Sequence, residues 1–487
     1  MYTYGCRIIL ICSIIFLCAC TPGKLVDAKP PANVVDPNVV KTESGAQQFM
    51  YNAMANFALQ LGGGGQTQGT YILGSGPSPF VYMVALLTDE AMRAPGLYPY
   101  NQSVGGVDER VFLDGMGSLI PVSGRAYQDY HNVRVTLRQA REAIQRFAPR
   151  VPSAVRGRLA AMEGNVILWF AELFCSGIPL TAVPIEGDPI VTDGYSTQEL
   201  FEYAVALFDT ALAISSDSST VTHFASVGKG RALLGLGRLA EAASAVRDVP
   251  TDFVAKAYFL KEGTIGGGYN VIGANPQSYK IVNGEGGTSL SWSTDSRAAI
   301  VTTPALSGDM QIPAKYSKTA EGSLDATIPI TDNPIRVADG LEARLIEAEA
   351  ALAAGREEWL TILNHLRATC VGSSVCAPVP GLSTAQLPPI SDPGTPTERL
   401  DTLMKERAMW LYLTGHRQGD LRRLVRIYHR PAAALWPSGT YWNPPIPPRI
   451  YSPPAHNSLY GTDFVFLPSP DEARLNLKYR GCNSLEP

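Results

Sequence analysis

Apolar residues recur three and four positions apart through much of this 487-residue chain, the spacing that places them on one face of an α-helix. The clearest instance begins at Thr395. Thr395 can cap the first turn, Pro396 fits a position that needs no N–H, and Glu398 completes a capping box. Leu400, Leu403, Met404, Ala408 and Leu411 then share one stripe, which predicts a helix with that side in the core. Past Gly415 a second helix is predicted, with Leu421, Leu424 and Val425 as its apolar face. On it, Arg417 and Asp420 read as a partly buried ion pair that locks the two helices together.

The same period predicts helices over residues 47–61, 126–147, 159–175 and 200–214. The third is apolar on nearly all sides and therefore buried, with Trp169, Phe170 and Phe174 in the core, and it stops at Gly177 and Pro179. Ser196 and Glu199 form the capping box of the fourth. Two helix pairs follow, 227–236 with 239–246 about Gly237 and Arg238, and 341–354 with 359–367 about Gly355. The run GRLAEAASAV resembles the turn and second helix of a tetratricopeptide repeat, with Ala240, Ala242, Ala243 and Ala245 where helices approach closely. The expected class is mainly α, built on tetratricopeptide-like helix hairpins with long irregular loops. Glu347 and Glu349, two apart on one helix, face different directions and belong to the scaffold rather than to a catalytic pair.

The periodic segments are interrupted in two informative places. Residues 252–334 carry little helical period and read as a loop insertion, of a length that commonly carries function. Earlier, the polar loop RAPGLYPYNQSVGGVDER brings Tyr98, Tyr100 and Asn101 close together. Aromatic rings stack on the C–H faces of sugars, and amides and carboxylates bond their hydroxyls. Tyr98, Tyr100 and Asn101 are thus the first candidates for glycan contact, with Tyr269, Asn270, Trp292 and Asp295 in the insertion as the second set. The glycine run at 62–65 reads as a flexible turn, because the Gly-Lys-Ser/Thr of a phosphate loop does not follow it.

At the start of the chain Arg7 precedes an apolar run from Ile8 to Leu17, of signal-peptide length and too short to span a bilayer. Leu17-Cys18-Ala19-Cys20 matches the bacterial lipobox, in which Cys20 becomes the acylated N-terminus. Residues 1–19 are then a signal peptide. Residues 20–41, rich in proline, read as an extended tether reaching roughly 60 Å. Residues 42–487 read as a single domain ending in a C-terminal wrap over about 431–487.

Charge narrows the functional classes. Lys plus Arg total 40 against 44 Asp plus Glu, a net charge of −4, and no dense basic cluster stands outside the 417–430 helix, which points away from nucleic acid. The six histidines are widely spaced, and neither HExxH nor GxSxG occurs, so no metal ligand, cofactor or catalytic residue is nominated and the chain is not read as an enzyme. Beyond Cys20 the mature segment holds Cys175, Cys370, Cys376 and Cys482, for which three pairings are open. Proximity favours Cys370 with Cys376, which leaves Cys175 with Cys482.

The order Glu406-Arg407, Leu411, Gly415-His416-Arg417 and Asp420-Leu421-Arg422-Arg423 resembles the C-terminal helical signature of SusD/RagB-like outer-membrane nutrient-binding lipoproteins. Three further stretches resemble that family in the right order: the aromatic helix ending in Gly177-Ile178-Pro179-Leu180, the segment LEARLIEAEAAL, and the closing Phe464-Val465-Phe466-Leu467. Trp410 and Thr414 stand where glutamates are common, and Gln418-Gly419 replaces an aromatic pair, which marks a divergent member. The resemblance implies a SusD-like α-helical fold and a surface lipoprotein held in the outer membrane by its lipid. It also implies capture of an oligosaccharide as the lid of a TonB-dependent SusC-like barrel, with no bond made or broken. A peptide-capturing lid of the RagB kind and a periplasmic helical-repeat scaffold are the alternatives.

Overall fold

The structure is a computed structural model that describes residues 37–65, 79–93, 107–111, 122–257, 268–270, 279–280, 290–298, 300–305, 308–313, 335–369, 387–440 and 459–487. Cys20 and residues 20–36 of the expected tether, Cys370, Cys376, and the loop bearing Tyr98, Tyr100 and Asn101 lie outside the described residues, and the last part of that tether, Pro37–Val40, is a short helix rather than extended chain.

The fold is mainly helical, as the apolar period requires. Helix α1 (Glu43–Gly62) packs on α3 (Val122–Phe147) and reaches the short α2 (Phe80–Leu87). Helix α3 in turn packs on α4 (Ser153–Leu173), which is buried on most of its surface. Trp169 is fully buried there, stacked between Phe57 and Phe80 at ring distances of 5.3 and 5.0 Å. Phe170 and Phe174 are buried beside it, so this aromatic cluster is core, as its all-round apolar pattern predicts.

Helices α5 (Thr197–Ile214), α6 (Ser219–Gly235) and α7 (Leu239–Val246) continue the stack, and α5 starts with the reciprocal Ser196–Glu199 capping box. The Phe208 ring fits between α4 and α6 because Gly164 and Gly228 face it; a Cβ on Gly228 would lie 2.3 Å from the ring. Helices α8 (Gly340–Ala353) and α9 (Glu358–Thr369) form the second hairpin, with α8 packed on α7. The two hairpins turn in the same way. Gly237 and Gly355 both adopt positive φ, at 73° and 69°. In each turn the next amide, of Arg238 or Arg356, bonds back to the carbonyl of Leu233 or Ala351 at 2.9 Å. Two equal glycine-terminated turns are what degenerate helical repeats should show.

The insertion at 252–334 is not wholly irregular. Among the described residues it supplies most of the strands in four two-stranded antiparallel sheets, in which β1 (Gly63–Gly65) pairs with β4 (Gly268–Asn270) and β2 (Met92–Arg93) with β5 (Tyr279–Lys280). Strand β3 (Val254–Ala257) pairs with β8 (Ile335–Asp339), and β6 (Ile300–Ala305) with β7 (Gly308–Pro313). The glycine run therefore forms a strand rather than the expected flexible turn. Its lack of side chains matters at the helix end as well, since a Cβ on Gly62 would lie 1.9 Å from Ile335.

The C-terminal segment lies against the end of α4. Phe174 bridges Phe466, Ser176 bridges Ser484, and a disulfide joins Cys175 to Cys482 with Cα atoms 5.9 Å apart. Of the open pairings the structure forms this one. It closes a separation of 307 residues, for which the loss of chain entropy in the unfolded state amounts to about 6 kcal/mol.

Helices α10 (Pro396–Trp410) and α11 (Arg417–Arg426) follow, capped by Thr395 as its sequence predicts and with Leu400, Leu403, Met404, Ala408 and Leu411 buried. The anticipated Arg417–Asp420 pair does not form. Arg407 donates two bonds to Asp420, at 3.1 and 2.9 Å, and Arg423 donates a third at 2.9 Å while also holding Glu349 of α8 at 2.7 and 2.9 Å. Arg417 reaches away from Asp420 to Asp89, after α2, at 2.8 and 3.1 Å. Arg422 donates to the free carbonyls of Ala171 and Phe174 at the end of α4, and burial pushes its guanidinium down to about 9. One helix turn separates Arg417 from Asp420, but each meets a stronger partner from another element.

Burial pushes the Asp420 carboxyl up, but Arg407 and Arg423 outweigh it and hold the group well below the ordinary carboxylate range. A depressed folded value adds stability that is present above the unfolded value of about 3.9 and is lost as pH falls below it toward the folded value. Asp420→Asn is expected to lower the unfolding free energy by about 3–5 kcal/mol at pH 7, because it leaves buried guanidinium charge uncompensated. Urea titrations between pH 7 and 2.5 should show this deficit narrowing below about pH 4; parallel curves for variant and wild type would show that Asp420 is not the titrating link.

Candidate functional site

The α10–α11 hairpin holds the root of the first candidate loop and residues 290–298 of the insertion. Its turn holds Leu413 at φ 54°, a left-handed conformation unusual for a branched apolar residue. The Leu413 amide donates to Glu90 Oε1 at 2.8 Å, and the Tyr412 hydroxyl donates to the Glu90 carbonyl at 3.1 Å. With the Arg417–Asp89 pair, these bonds fix the Asp89-Glu90 dipeptide that follows α2. Strand β2 begins two residues later and leads into the loop of Tyr98, Tyr100 and Asn101. Its register with β5 sets Met92 opposite Lys280 and Arg93 opposite Tyr279, which ties the root of that loop to the insertion. Strand β4 carries Tyr269 opposite Gly64 and Asn270 opposite Gly63. The backbone thus sews the first and second candidate segments to helix-rooted strands.

The insertion is pinned to the same hairpin at residues 290–298. Trp292 is fully buried, its ring 4.8 Å from that of Tyr412. Arg297 donates to Glu406 at 2.6 and 3.1 Å and to both carboxylate oxygens of Asp295 at 2.8 and 2.6 Å, and its guanidinium lies 4.9 Å from the centre of the Trp410 ring. Arg367 completes the cluster by donating to Glu406 at 2.6 Å. Burial raises the Asp295 carboxyl, and the Arg297 bonds and charge turn the net shift downward. Tyr412 is therefore the shared post, with Glu90 on its hydroxyl and Trp292 on its ring.

Two expectations are corrected by this geometry. Trp292 offers no face to a sugar, because its ring fills core space; a run of Ser and Thr around it in sequence hid a tertiary contact. Asp295 has its oxygens engaged by Arg297, so it holds the insertion in place rather than presenting free lone pairs. Of the other candidates, Tyr269 and Asn270 are placed on β4 by register.

The residues that position the site, Glu90, Arg297, Glu406, Tyr412 and Leu413, carry no local signal for that task. Arg297 and Glu406 lie 109 positions apart. Trp410 and Thr414 fit this arrangement: Trp410 receives the Arg297 cation, and the Thr414 hydroxyl lies 2.7 Å from His416 Nδ1. An aromatic face at 410 serves a cation supplied by the insertion.

The whole arrangement is the SusD-like fold. A SusD superfamily protein from Parabacteroides distasonis superposes with a TM-score of 0.60 at 12% identity, covering 91% of this chain and 99% of its own. A laminarin-binding SusD-like protein gives 0.55 at 15% identity, covering 78% and 91%. Surface glycan-binding protein A from Bacteroides thetaiotaomicron, in complex with laminarihexaose, gives 0.52 at 12% identity, covering 78% and 90%. No protein-family model and no curated protein matches the chain. At these identities the likeness lies in the fold, which is SusD-like.

Removing the buried indole should be felt as a packing defect. Trp292→Ala is expected to lower the unfolding free energy by about 3–5 kcal/mol in urea denaturation, the cost of a large aromatic deleted from a core. Wild-type stability in this variant would place the ring at the surface.

Proposed function

We propose that this protein is a cell-surface glycan-binding lipoprotein, anchored in the outer membrane through Cys20, that captures an oligosaccharide as the lid of a TonB-dependent SusC-like transporter. The observation that carries this reading is the SusD-like fold, shared over most of the chain with proteins that bind laminarin and laminarihexaose. The fixing of Asp89-Glu90, at the root of the first aromatic loop, on the α10–α11 hairpin supports it, because a binding loop is only as well placed as the element that carries it. The Cys175–Cys482 disulfide supports an exported, oxidising location.

In this reading Tyr98 and Tyr100 stack on sugar rings, and Asn101 bonds their hydroxyls. Tyr269 and Asn270, on β4, add contacts from the insertion. Binding needs no bond to be made or broken, and the protein acts by holding its cargo until the barrel takes it.

The double variant Tyr98→Ala/Tyr100→Ala should bind its glycan at least about tenfold more weakly in calorimetry with a panel that includes laminarihexaose, at unchanged melting temperature. Purification in mild detergent from the native outer membrane should recover a large TonB-dependent barrel in near-equal amount. Equal affinity in the double variant would remove both tyrosines from the site. Binding of peptides in place of glycans would make the protein a RagB-like lid, and soluble partners without a barrel would make it a scaffold.

A further inference from the structure

The stretch that carries Tyr98, Tyr100 and Asn101 is entered from β2 and left through residues 107–111. Its entry is tied to the α10–α11 hairpin through Asp89 and Glu90. Its exit is tied to the same hairpin by a different route, in which Arg110 is the link.

Arg110 is 2% exposed and takes φ 53°, a left-handed conformation that side chains other than glycine seldom adopt. Its amide closes the turn on the Val107 carbonyl at 3.1 Å. The side chain then crosses to residues 327 and 351 positions further along the chain: Nη2 donates to the Pro437 carbonyl, and Nε donates to the Gly461 carbonyl at 3.2 Å. The guanidinium carbon lies 4.8 Å from the centre of the Tyr460 ring and 5.7 Å from that of Phe464. Burial pushes the group down to about 10, so it stays charged at neutral pH. The backbones meet as well. The Gly461 amide donates to the Glu109 carbonyl at 2.8 Å and the Asp463 amide to the Arg110 carbonyl at 3.2 Å. A Cβ on Gly461 would lie 2.1 Å from the Arg110 carbonyl oxygen, so the approach needs a glycine there.

The C-terminal segment is itself fixed on α11. The buried Gln418 amide donates to the Phe464 carbonyl at 2.7 Å and accepts from the Trp436 indole at 3.0 Å, and the Trp436 and Phe464 rings lie 4.9 Å apart. Arg110 therefore joins residues 107–111 to α11 through Pro437 and Phe464, as Arg417 joins Asp89 to α11 at the other end.

We infer that Arg110 is a positioning residue for ligand capture: it holds the exit of the first candidate loop on the C-terminal segment, so that both ends of that loop rest on one helix pair before the ligand arrives. This deepens the glycan-binding reading and rests on it. With one end released, ordering that end becomes part of binding, and a smaller fraction of the protein is competent at any moment. A smaller competent fraction slows association and leaves dissociation unchanged, whereas loss of a direct ligand contact speeds dissociation.

The test compares wild type with Arg110→Met, which keeps the apolar stem, and Arg110→Lys, which keeps the charge without the planar fork. Affinity for a glycan panel that includes laminarihexaose is measured by calorimetry, and rate constants by stopped-flow fluorescence. The expected affinities are weaker by about tenfold in the methionine variant and about threefold in the lysine variant, with the loss in the association rate constant and dissociation unchanged. If the methionine variant does not fold, the lysine variant carries the comparison. Equal affinity in wild type and the folded variants overturns the proposal alone, as does a loss that lies in faster dissociation. A wild type that binds no glycan of the panel overturns the glycan reading and this proposal together.

Discussion

Burying a charge is costly unless another charge comes with it, and this constraint organises the C-terminal half of the protein. Arg407, Arg417 and Arg423 are buried, and so are Asp89, Glu349 and Asp420. A buried pair adds little net stability over an apolar one, but an unpaired member costs several kcal/mol, so the pairs act mainly on which segments can meet. Here they bring α8, the end of α2 and the α10–α11 hairpin to one point. Arg297 and Glu406 do the same for the insertion.

The consequence for function is mechanical. Loops long enough to surround an oligosaccharide are expensive to hold in one shape, because each ordered residue gives up conformational freedom. In this protein their roots are fixed by short antiparallel ladders and by the Tyr412 post. The left-handed Leu413 is part of that post: its amide is turned toward Glu90 instead of continuing the helix.

Much of the scaffold was legible in the sequence. The helix at 396–410, its Thr395 cap, the buried aromatic helix around Trp169 and both glycine-turned hairpins follow from signals that act within one or two turns. The candidate site was legible only in part. Trp292 and Asp295 were read from their polar neighbours as ligand contacts, yet their partners are Tyr412 and Arg297. The strand character of the glycine run was hidden for a similar reason, since a strand without side chains leaves no alternating pattern.

The sequence by itself determined where helices begin and end, which faces are apolar, and that buried arginines and acids would need one another. Capping, periodicity and turn glycines are local, and their physics is complete within a few residues. Only the tertiary structure decided which acid each arginine takes. Arg417 and Asp420 sit one turn apart and still choose Asp89 and Arg407, because pairing in a dry interior depends on the geometry of several elements at once. The same is true of Cys175 and Cys482, joined across 307 residues once the C-terminal segment lies along α4.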